Sequence, residues 1–365
     1  MNSPKFNRQS FVLYLAVLPE YRQRLVSNLD RRLGGSISYY ACEAHLEQSV
    51  KTKITSDNFA SVAMWRIGDK RAFLQYGHVM DAIWARSLVI DLNPRSLTAW
   101  WLLIARRVLR QRTVVWGHLY PAKGAGSSTA MLRRWMRTLS NGLVCYSYRQ
   151  GEAAVLEVPG KSCWVAPNAL YDREEMGFLE GRSRTKIVYV GRLVPEKKVE
   201  LLVLAAAELV KRGREVEVLI VGDGSERDAL ERSARDLDLG ESVKFLGWVS
   251  SPNELRELYG EASCSVSPGY AGLSLTQSLG FGVPVVVANG EDHSPEIELE
   301  STGGVRYFTS DDALSMADKI AEIIDAKDVV ANGRRYAEAV VERYSAEVMA
   351  DGLIRAMTND GSVRA

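Results

Sequence analysis

Between Cys264 and Val287 the chain passes from a short apolar strand through the turn Gly269-Tyr-Ala-Gly272 into a helix, and leaves it in a second apolar strand at 284–287. Few folds accept this succession. Continuously apolar strands are buried on both faces, and a helix between two of them is the connection that a parallel sheet requires. Gly269 and Gly272 let the backbone turn tightly after the strand. The helix that begins near Leu273 or Ser274 aims unpaired amides at the space above the turn, and an anion is their natural occupant. An ordinary strand-to-helix connection carries the same signature, so the other turns of the chain must decide between the two.

The same grammar runs through the second half. Strands are expected at 186–190, 215–221, 243–246, 264–267 and 284–287, with helices at 199–211, 225–237, 253–261 and from Leu273 between them. Amphipathic helices at 311–326 and 329–357 close the chain. The first half alternates likewise, with strands at 11–18, 87–92, 113–117, 142–147 and 163–167 and a helix at 20–33. With 365 residues, two domains of ordinary size are expected. The polar segments around 168–175 and 181–184 put the boundary there, giving domains at 1–168 and 169–340 and a terminal helix at 341–365 that packs back on the first.

Charge divides at the same place. Residues 1–170 hold 23 Lys and Arg against 10 Asp and Glu, while the whole chain is nearly neutral at +1. A basic half points to an anionic partner: nucleic acid, an acidic membrane surface or a phosphorylated substrate. No nucleic-acid motif accompanies the charge, so nucleic acid is not expected. Trp100 and Trp101 stand beside Arg106, Arg107, Arg110 and Arg112, and Trp135 beside Arg133, Arg134 and Arg137. Both groups suit interfacial helices on acidic lipid, and ordinary packing helices fit them equally. The apolar run at 11–18 is too short to span a bilayer, and no leader or spanning helix is read. Cys42, Cys145, Cys163 and Cys264 lack metal-site or disulfide spacing, which suits a reduced compartment.

Four turns follow the strands of the second half: Gly191-Arg-Leu-Val-Pro-Glu-Lys197, Gly222-Asp-Gly-Ser225, Gly247-Trp-Val-Ser250 and Gly269-Tyr-Ala-Gly-Leu-Ser274. In a parallel sheet they converge on one edge. Arg192, Lys197 and the helix start after Gly272 then suit a pyrophosphate. In the first half, His118 ends a strand and opens the loop that runs to Gly126.

These four ordered motifs, covering about half the chain, resemble the donor half of family 4 retaining glycosyltransferases of the group 1 type. The resemblance implies the GT-B fold, two facing Rossmann-like domains, each a doubly wound parallel sheet, with acceptor on the first and sugar nucleotide on the second. It implies that Arg192 and Lys197 hold the donor diphosphate and that Gly191 lies beside it. Gly247, Trp248 and Val249 border the base, the amides near Gly272, Leu273 and Ser274 meet phosphate or sugar hydroxyls, and His118 approaches the donor sugar. Two glutamates seven residues apart are usual in this turn and helix, and here Gly269 and Gln277 occupy their positions. Gln277 is then expected to bond the ribose hydroxyls through its amide. Lys198 also stands where a glycine is usual.

The implied activity is a retaining, metal-independent hexosyl transfer, with no cofactor, from a nucleoside diphosphate sugar to a glycan or lipid-linked saccharide in cell-surface polysaccharide synthesis. Pro19-Glu-Tyr-Arg22 and Trp116-Gly-His118 resemble lipid-linked or polysaccharide-building members. A cytoplasmic protein on the inner face of the cell membrane follows. A sugar-nucleotide 2-epimerase of the same fold and a non-catalytic sugar-nucleotide-binding protein are the alternatives.

Overall fold

The computed structural model describes residues 10–45, 51–68, 71–120, 127–326 and 331–362. It forms two compact units, Met1–Ala169 with Ala346–Ala365, and Leu170–Ser345. Residues 1–9, and residues 121–126 to which the turn after His118 was expected to run, lie outside the described ones.

The first unit contains strands β1 (Phe11–Leu15), β2 (Ile37–Ala41) and β3 (Phe59–Ser61), a hairpin of β4 (Ala63–Ile67) and β5 (Ala72–Tyr76), and then β6 (Ser87–Asp91), β7 (Arg112–Trp116), β8 (Gly142–Cys145) and β9 (Ser162–Val165). Its helices are α1 (Gln23–Leu33), α2 (Val79–Trp84), α3 (Leu97–Val108), α4 (Ser128–Leu139) and α5 (Tyr148–Glu157). Seven strands pair in parallel in the order β3-β2-β1-β6-β7-β8-β9, and the hairpin of β4 with β5 is antiparallel. The strand period divides β1 between two cores. Phe11, Leu13 and Leu15 join one, and Val12 and Tyr14 the other. Strands β2 to β5 were not expected from the sequence. Ser38 and two tyrosines interrupt β2, and the hairpin is largely exposed, so neither shows a continuous apolar run.

The second unit runs β10 (Lys186–Val190), α6 (Glu200–Lys211), β11 (Glu217–Val221), α7 (Arg227–Asp236), β12 (Val243–Gly247), α8 (Pro252–Gly260), β13 (Ala262–Ser267), α9 (Leu273–Gly280), β14 (Val285–Asn289), β15 (Val305–Thr309), α10 (Ala313–Asp325) and α11 (Gly333–Tyr344). All six strands are parallel, in the order β12-β11-β10-β13-β14-β15. Strand order therefore reverses between β10 and β13 here, and between β1 and β6 in the first unit. Such switch points open a crevice at the strand C-terminal ends, where ligands of doubly wound sheets bind.

The last helix, α12 (Ala346–Thr358), returns to the first unit and buries Ala346, Met349, Ala350, Leu353, Ala356 and Met357 in its core. The single helix expected over 329–357 is two helices, because Ser345 takes an extended conformation between them. Residues 327–330 lie outside the described ones.

Helices α3 and α4 correct the interfacial reading in part. Arg106 is fully buried and donates to Thr113 Oγ1 and to the carbonyls of Ala82, Ile83, Ala85 and Arg112. Arg112 lies over Trp164 and bonds the Ala356 carbonyl, and Arg137 bonds Leu119 O and Glu157. These arginines are interior cross-links. Trp100 is partly buried and donates from its indole to Pro94 O. Leu97, Trp101, Ile104 and Val108, spaced along one face of α3, are exposed, as are Met131 and Trp135 on α4. Arg107, Arg110 and Arg134 are exposed among them. Among the described residues no helix is long and apolar enough to cross a membrane. All four cysteines are free and buried.

Candidate functional site

Both switch points carry the side chains on which chemistry would depend. In the second unit the turns after β10, β11 and β12 are laced by backbone bonds: Gly191 N–H donates to Val221 O at 3.0 Å, Leu193 to Asp223 O at 2.9 Å and Gly222 to Gly247 O at 2.8 Å. Gly222 makes this approach possible. Its φ is +141°, and a Cβ there would stand 1.8 Å from the Gly191 carbonyl oxygen. Arg192, held at the crest by the Tyr189 hydroxyl donating to its carbonyl at 2.8 Å, is exposed, and its guanidinium makes no hydrogen bond or ion pair among the described residues. Lys197 donates to the Tyr270 carbonyl at 2.6 Å and lies 5.0 Å from the centre of that ring. Burial, and then the charge of Arg192, hold its pKa below the usual lysine value.

Gly272 starts α9, and no side chain caps the helix. The half-buried amides of Leu273 and Ser274 thus lack an acceptor among the described residues. The Ser274 hydroxyl meets that of Ser267 at 3.1 Å. His293, which the sequence did not single out, fixes the turn. It accepts the Ala271 N–H on Nδ1 and bonds Ala288 O through Nε2, so its proton sits on Nε2. Trp248, just past Gly247, is 68% exposed, an open aromatic face, with Val249 half-buried beside it.

The positions that depart from the family pattern have physical accounts. A Cβ on Gly269 would lie 2.3 Å from the Glu196 carbonyl oxygen, so the turn before α9 rests on the turn bearing Lys197, and no side chain fits between them. Gln277 does not face the crevice. It is buried, donating from Nε2 to Tyr171 Oη at 2.6 Å and accepting from Tyr259 Oη at 3.4 Å, and both ends of its amide are engaged inside the unit. The expectation of a ribose contact through Gln277 is corrected accordingly. Lys198 has φ +49° and ψ +38°, the left-handed conformation for which glycine is suited, and its ammonium pairs with Glu291 at 2.6 Å and Asp311 at 2.8 Å.

The first unit has a cavity of about 300 Å³ at its own switch point, lined by Ala16 and Val17 after β1, Asp91 to Asn93 after β6, and Trp116 to His118 after β7, together with Arg22, Arg133 and Tyr146. The buried Arg22 donates to Tyr146 Oη at 2.8 Å and lies 4.3 Å from the Trp116 ring centre. Arg133 donates to Leu92 O at 2.8 Å and His118 O at 3.0 Å. Burial, then Arg133 and Arg22, depress the His118 pKa to about 4, so the ring is neutral at pH 7. The Asp91 carboxylate accepts the Ala16 N–H, and burial raises its pKa to about 6 despite the two guanidiniums. His118 was legible from the sequence. Asp91 and Arg133 were not recognised, although Asp91 ends an apolar strand, which is where the ligand side of such a sheet begins.

The two doubly wound parallel sheets make the chain a Rossmann-like α/β protein of the GT-B class. The likeness to HepE of Anabaena, solved in complex with UDP, spans 96% of this chain and 100% of that one with a TM-score of 0.67 at 16% identity. Sucrose-phosphate synthase of Thermosynechococcus elongatus gives 0.62 at 16% identity, over 96% of this chain and 100% of that chain. Residues 179–340 match the family described as glycosyl transferases group 1, and the second unit is a domain of that family. Among curated relatives, poly(ribitol-phosphate) alpha-N-acetylglucosaminyltransferase of Staphylococcus aureus is 28% identical over 44% of this chain and 33% of its own length. D-inositol 3-phosphate glycosyltransferase of Nocardia farcinica is 36% identical over 36% of this chain and 31% of its own. The matched region therefore spans about a third of the length of these relatives.

Proposed function

We propose that this protein is a retaining glycosyltransferase that passes a hexose from a nucleoside diphosphate to a glycan or lipid-linked saccharide in cell-surface polysaccharide synthesis. The observation that carries the reading is the β10–β13 switch point of a group 1 glycosyltransferase domain, where unpaired Arg192, Lys197 and the uncapped start of α9 stand together. When the bond from the anomeric carbon to the diphosphate breaks, negative charge develops on the leaving group, and these three elements stabilise it electrostatically. Gly191 and Gly272 leave the backbone free to approach it. Gly247, Trp248 and Val249 border the base, with the exposed indole as its stacking surface. Neutral His118 offers its ring to the reacting sugar, and no resident metal is needed. The curated relatives are named as glycosyltransferases, and HepE was solved with UDP, which makes UDP-sugars the first donors to try.

The test is incubation of the full chain with a panel of sugar nucleotides and extracted lipid-linked saccharides, with and without chelator. Transfer with retained anomeric configuration is expected in both conditions. Absence of transfer with every pair would refute the reading, and isomerised donor without transfer would favour an epimerase.

Asp91 ends β6 at the wall of the first unit's cavity and is placed to accept a hydrogen bond from the attacking hydroxyl. The transfer rate should then rise as Asp91 ionises through about pH 6, while His118, neutral above about pH 4, adds no limb in that range. Its folded pKa lies above the unfolded value, so ionisation costs stability as pH rises through about 6. Asp91→Asn is expected to flatten the acid limb and lower the rate about tenfold, while raising stability at pH 7 by about 1–3 kcal/mol. A pH-rate profile with chemical denaturation checks both.

The apolar face of α3 and α4, with Arg107, Arg110 and Arg134 beside it, supports attachment to the acidic cytoplasmic face of the cell membrane. The double substitution Trp101→Ser with Trp135→Ser should weaken partitioning onto vesicles rich in phosphatidylglycerol about tenfold. Sedimentation with vesicles measures it, and unchanged partitioning would remove this face from the membrane.

A further inference from the structure

The cavity of the first unit is lined by two cations and, among the described residues, by buried hydrogen-bond donors that no acceptor meets. Arg22 and Arg133 both line it, and Asp91 is the one carboxylate among its lining residues. Neither guanidinium forms an ion pair with Asp91 or any other acid among the described residues. Arg22 Nε, Arg133 Nε and Trp116 Nε1 are all buried without an acceptor among the described residues. Removing guanidinium ions from water is costly unless counter-charge and acceptors are provided, and each buried donor left open adds to that cost. His118 is kept neutral by burial first and then by the same two arginines, and supplies no further charge. Three open donors and two cations around one cavity describe a site whose missing component is an anion with several acceptor oxygens. The planar, forked arginine head fits phosphate oxygens better than any other common anion, carboxylate excepted. About 300 Å³ exceeds what a phosphate ion alone occupies and lies at the lower end of small-molecule sites, so the anion arrives attached to a small polyol or sugar.

We infer that this cavity binds a phosphate ester of a small polyol or sugar, gripped by Arg22 and Arg133 with the Trp116 indole N–H as a further donor. The phosphate itself is not transferred. Its grip sets which molecule enters and leaves a neighbouring hydroxyl of the same ligand to Asp91. The inference rests on the proposed transfer only in identifying this ligand as the acceptor. The phosphate site stands or falls on binding.

The cations of the second unit also attract phosphate, so titrations are made on the full chain saturated with UDP. Glycerol 3-phosphate represents a free ester, dihexanoyl phosphatidylglycerol kept monomeric represents a lipid headgroup, and glycerol is the uncharged control. One or both phosphate compounds are expected to bind at least tenfold more tightly than glycerol, and which one does so identifies the source of the phosphate. Arg133→Gln and, separately, Arg22→Lys should each weaken that binding tenfold or more while UDP affinity, titrated alone, stays within twofold of wild type. A melting temperature and near-ultraviolet circular dichroism spectrum like those of wild type show that the first unit of each variant, where both substitutions lie, has folded. Binding of neither phosphate compound overturns the inference, as does binding that both substitutions leave unchanged. If the phosphate ester binds but no sugar nucleotide does, the transferase reading fails and the anion site stands.

Discussion

Arg192→Ala should lower kcat by about 10²–10³-fold, the loss that follows removal of one preorganised donor to a developing negative charge. The structure makes this a clean experiment. Arg192 is exposed at the crest of the turn after β10 and holds no other part of the protein in place. Its removal should therefore leave the thermal midpoint within a degree or two, since surface substitutions away from packed features change stability little. Because charge on the diphosphate grows as the bond breaks, kcat should fall more than affinity for the intact sugar nucleotide. Steady-state kinetics beside a melting curve make the check. A rate within threefold of wild type would remove Arg192 from the site, and a large fall in melting temperature would show a structural role.

Gly269→Glu should disable the protein, although it writes the usual family carboxylate back into this chain. A Cβ at position 269 meets the Glu196 carbonyl oxygen at 2.3 Å and the Lys197 carbonyl carbon at 3.1 Å, both rigid backbone atoms. The turn carrying Arg192 and Lys197 must shift to make room. Overpacking of this kind costs about 1–3 kcal/mol, and a shift of about 1 Å in catalytic groups is worth about 10²-fold in rate. Donor binding and melting temperature should fall together. An active, stable Gly269→Glu variant would show that the two turns are not locked, and the account of the missing carboxylate would fail with it.

These two residues mark how far the sequence could be read. The turn grammar of the second half was legible because each strand is a continuous apolar run and each is followed by glycine, so β10 to β14 and the crest position of Arg192 follow from local pattern. The reason for Gly269 is not local. It lies in the backbone of residue 196, brought there by the parallel pairing of β10 with β13. Gln277 is a similar case. Its spacing from Gly269 suggested an outward-facing amide, but Tyr171 and Tyr259 enclose it from distant parts of the chain. Arg106 misled for another reason. Composition places it in a basic, tryptophan-rich helix, whereas the carbonyls that make it an interior group lie on α2 and β7 and beyond. The cavity of the first unit was the least legible feature, because Arg22, Asp91, Trp116 and Arg133 come from four segments and no short motif joins them.

The return of α12 to the first unit also orders events during synthesis. Six of its side chains belong to the core that β1 starts, so the segment up to Ala169 leaves the ribosome with an apolar face for which the covering helix has not yet been made. The second unit occupies one uninterrupted stretch, Leu170–Ser345, and has all its described strands before α12 is made. Of the two units, the one whose translation begins first is thus the one that finishes last, and until α12 has emerged its nascent core is the surface most in need of a chaperone.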